Sequence, residues 1–243
     1  MILGIEVWVV VVLATTLAVG AAVQGLVGLG LGLVAAPVTT LIAPELMPEL
    51  LLWLAMMMPL VTLVREHHEI DWRGLGWAVP ARVPGTAIGV VFVGWFSARE
   101  LGIAVGLMVL ASVLLTVRSL RVPVNRGTLL AAGFVSGITG TTTSIGGPPL
   151  ALLFQYRSPK QIRSTLAVYF VLGAGFSLVG LALAGSLDRS TLVLGLLMVP
   201  WLVVGFVVSR LMHRVVPAHH IRGGVLLVCG LSAVVLLLRS LFG

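Results

Sequence analysis

The chain has 243 residues, of which 59% are hydrophobic and 9% charged, and its mean hydropathy is +1.16. A soluble domain carries about 45–50% apolar and about 25% charged residues, so a soluble enzyme, a disordered tail and a nucleic-acid-binding domain are excluded. A polytopic integral membrane protein remains. The net charge of +7 does not signal nucleic acid, because the basic residues stand at the ends of apolar runs and none forms a stretch long enough to follow phosphates.

The apolar runs, in chain order, are 2–23, 25–43, 46–64, 74–96, 101–117, 128–156, 164–187, 191–209 and 223–242. Crossing a hydrocarbon core of about 30 Å takes about 20 helical residues. The runs are continuously apolar rather than alternating, which excludes a membrane barrel and gives an all-α fold class. Behind Glu6 the first run is too long, and lacks the basic flank, for a secretory signal.

The second run opens with GLVGLGLGLVAAP at 25–37, a glycine-rich stretch beside Gln24. Residues 65–69 read Arg-Glu-His-His-Glu; adjacent helical histidines diverge by about 100°, so a solvated loop is expected rather than a metal site. Arg82 stands inside the fourth run between Pro80 and Pro84. An intramembrane Arg either serves function or snorkels to the interface, and the sequence leaves both open. Gly85/Gly89 and Gly102/Gly106 have the spacing of close helix packing. Trp53, Trp72 and Trp95 read as interfacial or packing positions, and Cys229 as a small core residue.

The sixth run carries GITGTTTSIGGPP at 137–149. Thr139, Thr141, Thr142, Thr143 and Ser144 crowd hydroxyls into an apolar segment. Such groups must face one another, backbone or a cavity. A helix broken there exposes backbone N–H groups, at Gly146 and Gly147 among others, that favour an anion. Helix packing is the competing reading, and for 25–37, which is almost wholly apolar, it has equal weight.

The two glycine-rich stretches align at an offset of 112, Gly25 with Gly137 and Gly28 with Gly140. Asp71 and Asp188, Pro80/Gly85 and Pro200/Gly205, and two Arg-Ser-Leu triplets follow in the same order as the offset drifts to 121. The chain therefore reads as a duplication, residues 1–120 and 121–243, within one membrane domain.

Segments 65–73, 118–126, 157–163 and 210–222 hold eleven basic residues, against three in the other loops and the C-terminal end, and belong in the cytoplasm. Two of them flank the 128–156 run, so that run must enter and return, turning near Gly137–Gly140. By the repeat, 2–43 turns near Gly25–Gly28. Each half becomes a re-entrant or broken-helix hairpin plus three transmembrane helices, and the odd number inverts the second half. Both chain ends are then expected outside.

On the paired motifs at 25–37 and 137–149, the proline-bearing helices at Pro80 and Pro200, and the Arg-Ser-Leu endings, the sequence resembles the sulfite exporter TauE/SafE family of membrane transporters over nearly its whole length. The resemblance implies transport of a small sulfur-containing oxyanion, sulfite or an organosulfonate, across the inner membrane. The expected binding set is Thr139, Gly140, Thr141, Thr142, Thr143, Ser144, Gly146 and Gly147, with Arg82 adding charge and Gln24, Gly25 and Gly28 contributing from the first turn. The expected partners are the anionic substrate and the lipid bilayer, with proton or sodium as the candidate coupling ion. No cofactor, metal or nucleic acid is expected. An anion channel and a non-transport membrane subunit or enzyme are the alternatives, although no Ser/His/Asp or H-E-x-x-H arrangement stands within the membrane. Substrate identity, direction, coupling and oligomeric state are left open.

Overall fold

The computed structural model of the chain describes residues 5–28, 30–64, 69–118, 122–212 and 218–242. Among these residues there are ten α-helices and no β-strand. The first five are α1 (Val7–Val27), α2 (Leu31–Ile42), α3 (Glu49–Leu63), α4 (Trp72–Trp95) and α5 (Ala98–Arg118), with a 3-10 turn at Pro44–Leu46 before α3. The same order of a broken hairpin and three helices follows in α6 (Arg126–Thr143), α7 (Pro148–Phe154), α8 (Pro159–Leu183), α9 (Arg189–Met212) and α10 (Ala218–Phe242). Residues 65–68, with the adjacent histidines, lie outside the described residues.

Local chemistry sets the helix starts. The Asp71 carboxylate accepts the Gly74 N–H at 2.9 Å, Asn125 and Thr128 form a reciprocal capping box, and Ser158 accepts the Gln161 N–H ahead of Pro159. Such caps satisfy donors that a helix start otherwise leaves free. α1, α4, α5, α8 and α9 are long and apolar enough to cross a membrane. Their outward faces are apolar: Val203, Val204 and Val207 of α9 are each about half exposed, and Trp72 and Trp95 stand exposed at the two ends of α4. This is a multi-pass membrane protein, with lipid rather than water against those faces. Cys229 of α10 is buried among apolar side chains.

Both ends of the 128–156 run lie at one end of the bundle. Arg126 covers the Trp77 ring at 5.0 Å, which ties the start of α6 to the start of α4. After α7, Ser158 donates to Glu69 at 2.7 Å, just before α4. The run thus enters and returns. Its turn lies at Ser144–Gly147, beyond the Gly137–Gly140 position expected from sequence. Gly137 and Gly140 lie within α6, where glycine serves close approach rather than a bend: a Cβ on Gly137 would fall 2.4 Å from the Arg82 carbonyl oxygen. The first hairpin turns at Gly28, in the left-handed region at φ 84°, and Gly30.

One helix crossing occurs twice. On α4, a Cβ at Gly85 would lie 2.2 Å from the Phe134 oxygen of α6, and one at Gly89 would lie 2.7 Å from the Thr141 Cβ. On α9, a Cβ at Gly205 would lie 2.1 Å from the Ala18 oxygen of α1, and Ser209 rests against Gly25. Phe134 therefore matches Ala18, Thr141 matches Gly25, and the left-handed Ser144 matches Gly28. The hairpins correspond at an offset of 116, one helical turn from the 112 suggested by matching glycines. Without side chains between them, these backbones approach as small-residue helix interfaces do in membranes.

Candidate functional site

The turns of the two hairpins meet across a cavity of about 40 Å³. The first hairpin lines it with Gln24 and with Gly30, Leu31, Gly32 and Leu33 at the start of α2. The second lines it with Gly140, Ser144, Ile145, Gly146, Gly147 and Pro148. α3 and α8 close the sides with Leu52, Ala55, Phe170 and Ala174, and α4 contributes Arg82. The space holds a few waters or one small oxyanion.

Arg82 is 3% exposed, so it does not snorkel to an end of the bundle. Its Nη1 donates to the Ser136 hydroxyl at 3.3 Å, and Ser136 in turn donates to the Gly146 carbonyl. The guanidinium carbon lies 4.8 Å from the Tyr169 ring centre. Two glycines make room for it: a Cβ would fall 2.0 Å from Cζ at Gly173 and 2.7 Å from Nη2 at Gly140. Among the described residues no carboxylate pairs with Arg82, and its Nε, like the Tyr169 hydroxyl, is buried without a hydrogen-bond partner. An Arg at the centre of a membrane helix costs about 3 kcal/mol. A cation–π contact of about 2 kcal/mol offsets part of that.

Gln24 sits opposite. Its Oε1 accepts the Leu31 N–H at 3.1 Å, satisfying one donor at the start of α2 and leaving the amide NH₂ as a donor toward the lining. At an offset of 116 its counterpart is Gly140, and both line the cavity.

Of the residues singled out from the sequence, Gln24, Arg82, Gly140, Ser144, Gly146 and Gly147 come together here. The other hydroxyls do not line the cavity. Thr142 donates to the Ile138 carbonyl at 2.9 Å, Thr143 to the Thr139 carbonyl at 2.7 Å, and Thr141 pairs with Ser177 at 2.8 Å. The Thr139 hydroxyl is buried without a partner. Ser144 donates to the Pro48 carbonyl at 2.9 Å and so fastens the second turn to the start of α3. Gly25 packs on Ser209, and Gly28 forms the first turn. Sequence reasoning passed over Ser136, Tyr169 and Gly173, and also the start of α2. The last two residues stand four apart on α8 and share a face; a buried Arg without a nearby acid was the signal to look for an aromatic ring and a small residue at that spacing.

The sequence profile of the Sulfite exporter TauE/SafE family matches residues 12–236. The chain belongs to this family of membrane transporters. It is similar to the probable sulfite/organosulfonate exporter TauE of Cupriavidus necator, at 27% identity over 213 residues, 82% of each chain. No solved structure matches.

Proposed function

We propose that this family member exports a small sulfur-containing oxyanion, sulfite or an organosulfonate, out of the cytoplasm through the inner membrane by alternating access about the central cavity. The observation that carries the reading is Arg82, a buried cation without a carboxylate partner among the described residues, lining a cavity where two broken hairpins turn. A buried charge is tolerated when a counter-ion completes it, and an oxyanion accepts from a guanidinium with charge-assisted bonds. The Gln24 amide and the backbone N–H groups of Gly146, Gly147 and the start of α2 add neutral donors. The repeated crossing of α4 on α6 and α9 on α1 supports two related halves, and a hairpin followed by three helices in each supports their opposite orientation, the arrangement of rocking transporters. The name of the Cupriavidus relative supports the substrate class.

The test is flux from purified protein in liposomes. Sulfite flux should saturate with concentration, fall at least about tenfold in Arg82→Ala, and recover in part in Arg82→Lys, whose ammonium lacks the planar fork. Flux that rises linearly without saturation indicates a channel. A parent protein without flux, or an Arg82→Ala variant that transports normally, refutes the reading.

A further inference from the structure

We infer that the cavity selects for ionic charge as well as for size, taking the monoanionic form of its substrate, such as hydrogensulfite, and rejecting dianions of the same shape. This rests on the reading of the cavity as the transport site.

Arg82 is the one ionisable side chain among the described lining residues. Arg73, Arg126, Lys160 and Arg163 lie toward the N-terminal ends of α4, α6 and α8 and do not line the cavity, although the Arg163 stem packs against Gly28 at the first turn. Tyr169, on α8, is the titratable group in contact with the guanidinium. α1, α2, α3, α6 and α7 bring no described ionisable side chain to the cavity.

The backbone adds little net charge. A helix end carries about half an elementary charge, positive at the N-terminus and negative at the C-terminus. Each hairpin pairs a helix end with a helix start, α1 with α2 and α6 with α7, and both members of each pair reach the lining, through Gln24 and Gly30–Gly32 in the first and through Gly140, Ser144, Gly147 and Pro148 in the second. The opposed ends cancel to first order, so Arg82 sets the balance at one positive charge.

Scaling then separates the two ligand classes. Desolvation grows with the square of the charge, so a dianion costs about four times as much to bring inside as a monoanion of equal size. Its attraction to a single guanidinium grows about twofold. The described lining residues offer no second cation to make up the difference, and Leu33, Leu52, Ala55, Phe170 and Ala174 offer no side-chain donors.

The experiment measures binding to the full-length protein in detergent by calorimetry from about pH 6 to about pH 8, the range in which sulfite gives up its second proton. Methanesulfonate, a monoanion throughout, reports any titration of the protein itself. Sulfate is a dianion throughout. Methanesulfonate affinity should stay level, sulfite affinity should fall about five- to tenfold with rising pH, as far as the monoanion fraction itself falls, and sulfate should bind at least about tenfold more weakly than methanesulfonate. Sulfite affinity that holds or rises with pH, or sulfate binding within about threefold of methanesulfonate, overturns the charge selection while leaving the site in place. Binding of these anions that is unchanged in Arg82→Ala, or no binding of any of them by the parent, overturns the site and the selection with it.

Discussion

Gly173 is the sharpest place to disturb the chain without touching a polar group. Adding one methyl there sets a carbon 2.0 Å from the Arg82 Cζ and 2.3 Å from Nε and Nη1. Ordinary contact begins at 3.4 Å, so the guanidinium must retreat by about 1.4 Å or α8 must back away. Retreat is restricted, since the α6 backbone at Gly140 lies on the Nη2 side and the Tyr169 ring centre stands 4.8 Å from Cζ. The Nη1 bond to Ser136, already 3.3 Å long, would not survive a shift of that size. Overpacking of this kind costs about 1–3 kcal/mol of stability, which lowers the melting temperature without unfolding the protein. Misplacing a binding group by about 1 Å costs up to about 100-fold in function. Gly173→Ala should therefore fold, melt earlier, and lose sulfite flux in liposomes by about ten- to a hundredfold. Gly175→Ala is the control, because a Cβ there meets nothing within 4 Å. Equal flux from both variants would show that the guanidinium is not held as described.

Gly85→Val and Gly205→Val press side chains into carbonyl oxygens of α6 and α1; both should lose most folded protein by fluorescence size-exclusion, whereas Gly94→Val, with open space around it, should not. Thr142→Val removes a hydroxyl bonded within its own helix; it should cost about 1 kcal/mol or less in thermal unfolding and leave anion affinity within about twofold. Ser144→Ala removes the bond to Pro48 and should weaken affinity several-fold by calorimetry. Cysteines placed at Arg126 and Lys160 should label from the same side of the membrane, the cytoplasmic one, in intact cells; labelling from opposite sides would refute the re-entrant hairpin.

The hairpin at 128–156 was legible because an apolar run with basic residues at both ends has one topological solution, and the ties of Arg126 to Trp77 and Ser158 to Glu69 agree with it. Arg82 was legible because a cation is conspicuous in an apolar run. The position of the turn was not. Matching letters put Gly25 with Gly137, but the structural partner of Gly25 is Thr141, since either residue is small enough for the helix crossing. Glycine reports tolerance of close approach as readily as a bend. That the threonines do not line the cavity has a related reason: a Thr inside a helix can satisfy its hydroxyl on the carbonyl four residues back, as Thr142 and Thr143 do. Tyr169 and Gly173 lie about 90 residues from Arg82 and carry no mark of their own in the sequence.

The glycine crossings determine what can move as a unit. With Gly85 seated on Phe134 and Gly137 on Arg82, α4 has little freedom to slide along α6, and the same holds for α9 on α1. Each packed pair thus joins a helix from one half of the sequence to a hairpin from the other, and Arg82 is seated on the second hairpin although it is encoded in the first half. A chain severed in the 122–125 loop would yield two fragments, each lacking the partner its own helices require. Neither should insert stably alone, and the two made together should reassemble, as interlocked pieces do.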